Sequence, residues 1–279
     1  MSLFRKMFGF GKREAPSLEK PKSHLAFVLL PFDEFPANDA IIAAFEKYSQ
    51  GHHAISIASD EESDSAGTET KDVVLVTVEG VGTAFVALMP RPIPHGEAEA
   101  AFSMSMSSFA QDSRLPEHRA HLVVTLMPSA ETDVIEGMMA FTSLLAAVTD
   151  AAQGVGVYWG NAGATHTRDF FLLMASEHEI GPRILLWNGV SRAAEGGGKV
   201  SFLSHGMNQI ALPDLYLTCD ARSGGDGLGR VFDLLTYIAS RRKAIPAGDT
   251  IGATAEEKIR VQYVKSPADP KQIVWKVEM

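Results

Sequence analysis

The stretch from Tyr158 to Arg168 gathers more chemically capable side chains than any other part of this 279-residue chain: Tyr158, Trp159, Asn161, Thr165, His166 and Arg168. An aromatic pair offers a flat surface, an amide and a hydroxyl offer directional hydrogen bonds, and histidine near arginine offers a proton carrier beside a permanent cation. Such a set suits a planar or anionic group, with His205 as a distant assistant. Loops beyond the carboxyl ends of strands are where α/β sheets place binding sites, and this stretch leaves an apolar run that ends in Trp159. The same residues also have a purely architectural reading, which is preferred. Tyr158 and Trp159 then pack a strand end, Gly160 and Gly163 turn the chain, and Thr165 or Thr167 caps a helix.

Other chemistries find less support. The nine histidines are dispersed: His52 and His53 are adjacent and point to opposite faces of a strand, and His166 and His178 are twelve residues apart. With no His-Glu-x-x-His or paired-cysteine pattern, neither a metal nor a cofactor is expected. Cys219 is the single cysteine, which excludes an intrachain disulfide, and it reads as a small buried hydrophobe at a strand end. There is no Gly-x-Ser-x-Gly elbow, and Gly224 to Gly229 lacks the spacing of a phosphate loop. No catalytic residue is assigned.

The elements that must position these residues centre on Ala120–Asn161, which reads as strand, long helix and strand. Val134, Met138, Phe141, Leu145, Val148 and Ala152 form one apolar stripe, and Glu131, Asp133 and Glu136 crowd the positive end of the helix. This is the expected core helix. Its preceding strand, HLVVTLMP from His121, matches HLAFVLLP from His24 at histidine, leucine, a later leucine and proline, 97 residues earlier. Each octapeptide is followed by an amphipathic helix, a glycine (Gly51, Gly154) and another strand. The pattern predicts two related α/β halves with ferredoxin-like β-α-β units and an internal duplication. Both histidines then read as architectural.

In the first half, Ile41, Ile42, Phe45 and Tyr48 share a helical face, and Glu79 to Gly82 joins two strands as a hairpin. Phe102, Met106 and Phe109 are expected to face the core. In the second half, Gly160 onward predicts a turn and a short helix, and Arg183–Val190 predicts a strand. Further strands are expected at Val200–Leu203 and Leu215–Thr218. Gly224 to Gly229 reads as a flexible connector, Leu228–Lys243 as a helix, and the last two alternating runs as a hairpin. The expected fold class is α+β, with mixed sheets covered by amphipathic helices. The expected divisions are a flexible basic leader over 1–22, one half over 23–115 and the other over 116–279.

Charge narrows the partners. The net charge is -9, yet residues 1–22 hold six basic and two acidic residues, which leaves the body at -13. An acidic body repels phosphate backbones, so nucleic acid is not expected, whereas a basic protein partner is. The leader places Leu3, Phe4, Met7 and Phe8 at helical spacing among basic residues, a pattern that also allows a membrane surface to be met through residues 1–13. It lacks the long apolar run of a signal peptide, so a cytoplasmic location is expected. Residues 59–72 are acidic, without calcium-loop spacing, and read as a solvated loop.

From Val157 onward the order of motifs resembles a bacterial family, the domain of unknown function 4261 (DUF4261). The marks are Val157-Tyr158-Trp159-Gly160, Leu185-Leu186-Trp187, His205-Gly206-Met207 leading to Leu212-Pro213-Asp214-Leu215, and Gly248-Asp249-Thr250-Ile251-Gly252 with Ile259-Arg260-Val261. Pro92-Ile93-Pro94-His95-Gly96-Glu97 and His121-Leu122-Val123-Val124 join them, so the family-like region covers about 85–264. Asn208-Gln209-Ile210 departs from the glycine-phenylalanine-glycine expected there. The resemblance implies a soluble α/β bacterial protein and supplies no catalytic residue. Because some members occur near toxin and secretion genes, it implies a partner-binding or immunity role.

Two functions follow. The preferred one is a non-enzymatic protein-binding module, an immunity or accessory protein for a basic toxin or secretion partner. The alternative is a small-molecule-binding enzyme with its site at the Tyr158–Arg168 loop.

Overall fold

In the computed structural model, which describes residues 15–58, 72–109, 113–252, 254 and 256–279, the described residues build a seven-stranded and a five-stranded sheet around a shared helical core, with a separate two-stranded sheet near the C-terminus. The first sheet contains β1 (His24–Leu30), β2 (Ile55–Ile57), β3 (Val73–Val78), β4 (Gly82–Met89), β5 (Ala120–Pro128), β6 (Gly156–Trp159) and β7 (Ala164–Thr167). Their order is β2-β3-β4-β5-β1-β6-β7, with every neighbouring pair antiparallel. The apolar residues on both faces of β1 have the expected cause: it lies inside the sheet, between β5 and β6. Residues 1–14 and 59–71, which include most of the expected flexible basic leader and almost all of the acidic loop, lie outside the described residues.

The two matching octapeptides are neighbours. β1 and β5 pair from His24 opposite Leu126 to Leu30 opposite Ala120. The pairs Ala26–Val124 and Phe27–Val123 exchange under a local two-fold that superposes the two sequences. The likeness stops there. β5 and β6 run parallel with only β1 between them, whereas β1 and β2 are separated by β5, β4 and β3. The strand order therefore does not confirm the duplication, and the expected 115/116 division runs through one sheet.

Between β1 and β2 runs α1 (Asn38–Ser49), and between β5 and β6 runs α3 (Val134–Ala151). The Asp133 side chain caps α3 by accepting from the amides of Ile135 and Glu136. The apolar stripe expected on α3 is too narrow: Ile135 and every residue from Gly137 to Thr149 are buried. Thr142, Ser143 and Thr149 tolerate this because each hydroxyl donates to the carbonyl four residues earlier. By length and composition α3 is apolar enough to cross a membrane, but 78% of it is buried inside the protein. Gly154 closes the unit where a side chain has no room; an added Cβ would lie 2.6 Å from Val28 Cγ1.

A short helix, α2 (Glu97–Phe102), lies beside β7 on the sheet face opposite α3. After β7 come α4 (Arg168–Ser176), α5 (Ile180–Trp187), β8 (Gly189–Glu195), β9 (Lys199–His205), β10 (Leu215–Asp220) and α6 (Gly224–Arg241). The chain ends with β11 (Thr250–Ile251), β12 (Ile259–Arg260), β13 (Gln262–Lys265) and β14 (Ile273–Glu278). The second sheet has the order β13-β14-β10-β9-β8; β10 and β14 are parallel and the other neighbours antiparallel. The fold is α+β.

Four local expectations need correction. Arg183–Val190 is not a strand: Arg183 to Trp187 complete α5, with Pro182 accommodated in its first turn. A four-residue apolar run fits either structure, and burial on the helical core decides it. Gly224 to Gly229 is the first part of α6, and Gly227 lets that helix approach β10, since an added Cβ would lie 2.6 Å from Cys219 Sγ. Ala164–Thr167 forms β7 where a turn and helix are expected. Phe109 is exposed at 56%, while Phe102 and Met106 are half-buried.

Candidate functional site

The Tyr158–Arg168 residues do not share one face. Successive side chains of a strand point to opposite sides. Trp159 and His166 therefore face the α3 and α4 side, where Trp159 meets Phe141 and Phe171. Tyr158 and Thr165 face the other side, where Tyr158 stacks on Phe27 and Thr165 Oγ1 donates to the Ala98 carbonyl of α2. Trp159, Thr165 and His166 are fully buried, and Asn161 is exposed in the turn between the strands. Arg168 is held away from all of them by Asp150 at 2.6 Å, and that carboxylate also accepts from Lys47 and Tyr48.

His166 has a partner that its sequence neighbourhood does not reveal. Its Nδ1 lies 2.6 Å from Ser105 Oγ, and its Nε2 lies 3.0 Å from the Leu186 carbonyl. A carbonyl only accepts, so Nε2 carries the proton and Nδ1 accepts from the serine. Burial pushes the imidazole down to about 4, which keeps it neutral. Serine hydrogen-bonded to histidine is the arrangement of an activated nucleophile. Here, however, Ser105 and His166 are both fully buried, and Ser105 Oγ also bonds the Ser107 hydroxyl and amide. The pair fastens the segment after α2 to the end of α5.

The motif around His205 is likewise a folded turn. Asp214, nine-tenths buried, accepts from the Ser204 hydroxyl at 3.0 Å and the Met207 amide at 3.1 Å. Desolvation raises its carboxyl to about 6 despite those bonds. His205 Nε2 lies 3.0 Å from Ser191 Oγ on the neighbouring strand, and burial lowers its pKa. Gly206 takes a φ of +132° with its Cα so near the Trp187 carbonyl that a side chain has no place. Gln209, within the Asn208-Gln209-Ile210 departure from the family pattern, accepts the Trp159 indole N–H at 2.7 Å and donates to Trp187 and Gly206 carbonyls. A buried tryptophan needs such a partner.

His24 and His121, expected to share one architectural role, differ. His121 Nδ1 donates to the Arg91 carbonyl at 2.8 Å. His24 stacks on Phe141, and neither of its nitrogens has a partner among the described residues. Cys219 is a buried thiol, and burial raises its pKa. Among the described residues no group of three histidine, cysteine or acidic side chains is placed to hold a metal ion.

The feature that sequence reasoning missed is a bare sheet face. On the side facing α3, Val76, Val78, Ala84, Val86, Leu122, Val124 and Leu126 are fully packed. On the other side, α2 and its flanking segments cover Leu29 and partly cover Phe27 and Tyr158, and among the described residues the cover ends there. Val73 is 54% exposed, Leu75 and Phe85 40% and Met127 41%. Leu75 pairs with Phe85, and Phe85 with Thr125, so they form one row across β3, β4 and β5. The signal was present: β3 is VVLVTV, with apolar residues at both parities. A strand with one solvated face alternates apolar with polar, so this pattern marks a second apolar face.

The fold and these sites define an α+β protein of two large sheets and a small two-stranded one, whose histidine and aspartate motifs are built into its own packing. Residues 203–278 match the model of a family described as a domain of unknown function (DUF4261). This match begins at the end of β9 and takes in the Asp214 turn, α6 and all of β10 to β14, later in the chain than the 85–264 read from motifs. No curated protein and no solved structure matches the chain.

Proposed function

We propose that this chain is a non-enzymatic protein-binding module whose bare face over β3, β4 and β5 receives the apolar side of a basic partner segment. The observation that carries the reading is the exposure of Val73, Leu75, Phe85 and Met127 together on one sheet face. Contiguous apolar surface of this kind marks interaction sites on soluble proteins. Charge supports a basic occupant: the chain is at -9, and six carboxylates within residues 59–72 lead directly into β3. The resemblance read in the motifs extends the proposal to an immunity or accessory role toward a basic toxin or secretion component.

Leu75→Asp combined with Phe85→Glu tests it. The wild-type chain and the double variant are used as baits in lysate of the native host, and the proteins retained are then purified and titrated against both. The expected result is one basic protein bound by the wild type, with affinity falling as salt rises, and bound at least about tenfold more weakly by the variant. Equal affinity for both baits, or no saturable binder, overturns the proposal.

A further inference from the structure

A cavity of about 470 Å³ opens beside the end of α1, lined among others by Phe45, Glu46, His52, His53, Ile55 and Glu79. Two of its lining residues, His52 and His53, belong to a histidine junction. The His52 ring lies flat on that of His178, with centroids 3.7 Å apart and planes 4° from parallel. This stack joins the turn after α1 to the turn between α4 and α5. Two further bonds cross nearby: Gln50 Nε2 donates to the Ser176 carbonyl at 2.6 Å, and Arg183 donates from α5 to the Tyr48 carbonyl at 3.1 Å. His53 Nε2 and His178 Nδ1 are buried there without hydrogen-bond partners among the described residues.

The charges facing this junction are lopsided. His178 feels the Arg183 cation and the neighbouring histidines more than the Glu136 carboxylate of α3, whereas at His53 Glu136 outweighs Arg183; Glu46 and Glu79 line the cavity beside His52 and His53. Glu136 is already paired with Arg242 at 2.9 Å. Two neutral imidazoles stack favourably, whereas two imidazolium rings at this separation repel, and each new charge also meets Arg183. We infer that the junction is an acid-operated latch: proton uptake by His53 and His178 drives the turn after α1 away from the turn between α4 and α5 and opens the wall of the cavity. Burial, Arg183 and the neighbouring histidines lower His178 to about 4, and His53 is lowered as well, chiefly by burial. The closed form is therefore favoured while they are neutral, at and above the ordinary histidine value, and weakens as pH falls below it.

Hydrogen exchange on the full chain at pH 7.5 and pH 5.0, corrected for intrinsic rates, tests the latch. Peptides covering 49–54 and 175–181 should exchange about tenfold faster at the lower pH, while β1 and β5 keep their protection. His178→Phe keeps a flat ring in the stack on His52 but cannot take up a proton, and should retain most of the protection at pH 5.0. His178→Tyr replaces it if that variant does not fold. Unchanged exchange of the two turns in the wild type, simultaneous loss of protection in β1 and β5, or an aromatic variant as acid-sensitive as the wild type would each overturn the inference.

Discussion

Trp159 Nε1 donates to Gln209 Oε1 at 2.7 Å, and this bond ties the end of β6 in the first sheet to the turn after β9 in the second. Trp159 is fully buried and Gln209 almost so. Replacing the amide by an apolar group leaves an indole N–H without a partner in a dry setting, and the two carbonyls that Gln209 serves lose a donor. Gln209→Leu should therefore lower stability by about 1–3 kcal/mol. Urea denaturation followed by tryptophan fluorescence checks it; an unchanged midpoint and slope would refute the assignment.

Arg183 should be more costly to lose. Its guanidinium is fully buried, has no carboxylate partner among the described residues, and donates to the carbonyls of Tyr48, Met139, Ala175 and Glu177. Three of these acceptors lie at or just beyond the ends of α1 and α4, where the helix dipoles are negative. Arg183→Met preserves much of the stem but takes the guanidinium from the Ala175 and Glu177 carbonyls, whereas Tyr48 and Met139 keep the Ser143 hydroxyl. A loss of about 3 kcal/mol or more is expected, with Arg183→Lys intermediate because one ammonium cannot reach four acceptors. Equal stability of the lysine variant and the wild type would show that the fork is not needed.

Acid should unfold the protein through its histidines. Burial pushes both His24 and His166 down to about 4, below their unfolded value. A histidine with a lowered folded pKa stabilises the fold fully above its unfolded value, and that stability is lost as pH falls from about 6.5 to 4. Asp214 acts in the opposite sense: its carboxyl, raised to about 6, favours the fold when protonated, so it offsets part of the loss. Melting temperature should be level above neutral pH and fall steeply below it. His24→Phe, which keeps the stack on Phe141, should recover roughly 3 kcal/mol of this at full acidification. A variant whose melting temperature falls as steeply as the wild type's would contradict the role given to His24.

The two faces of β4 and β5 should answer differently to truncation. Leu126→Ala removes a fully buried side chain and should cost about 2–5 kcal/mol. Phe85→Ser removes a side chain that is 40% exposed and should cost less than about half as much. Chemical denaturation of the two variants makes the comparison. A Phe85 variant as unstable as the Leu126 variant would mean that the face is packed in the folded protein.

Local pattern carries the elements that it governs. Seven-residue β1, nine-residue β5, the capped α3 and the inward face of α6 all follow from spacing, because hydrophobic period and end signals act within a few residues. Period two also separates Tyr158 from Trp159, so their division between two faces is itself a consequence of local spacing. Arg183–Trp187 and Gly224 to Gly229 are different. An apolar run without period, or a glycine run, takes the form its neighbours impose: the helical core for α5, the Cys219 side of β10 for α6.

What the sequence by itself determined is the α+β class, the two matching strands and the core helix, the acidic charge and the motif order that resembles the DUF4261 family. Only the tertiary structure decided what the chemically suggestive residues do. His166 meets Ser105 across 61 residues, Trp159 meets Gln209 across 50, and His52 lies on His178. It also decided that Val73, Leu75, Phe85 and Met127 are exposed together on one face of β3, β4 and β5. Secondary structure is written in short-range spacing. Partners of buried polar groups, and faces left without cover, are set by which distant segments pack together, and spacing along the chain does not encode that.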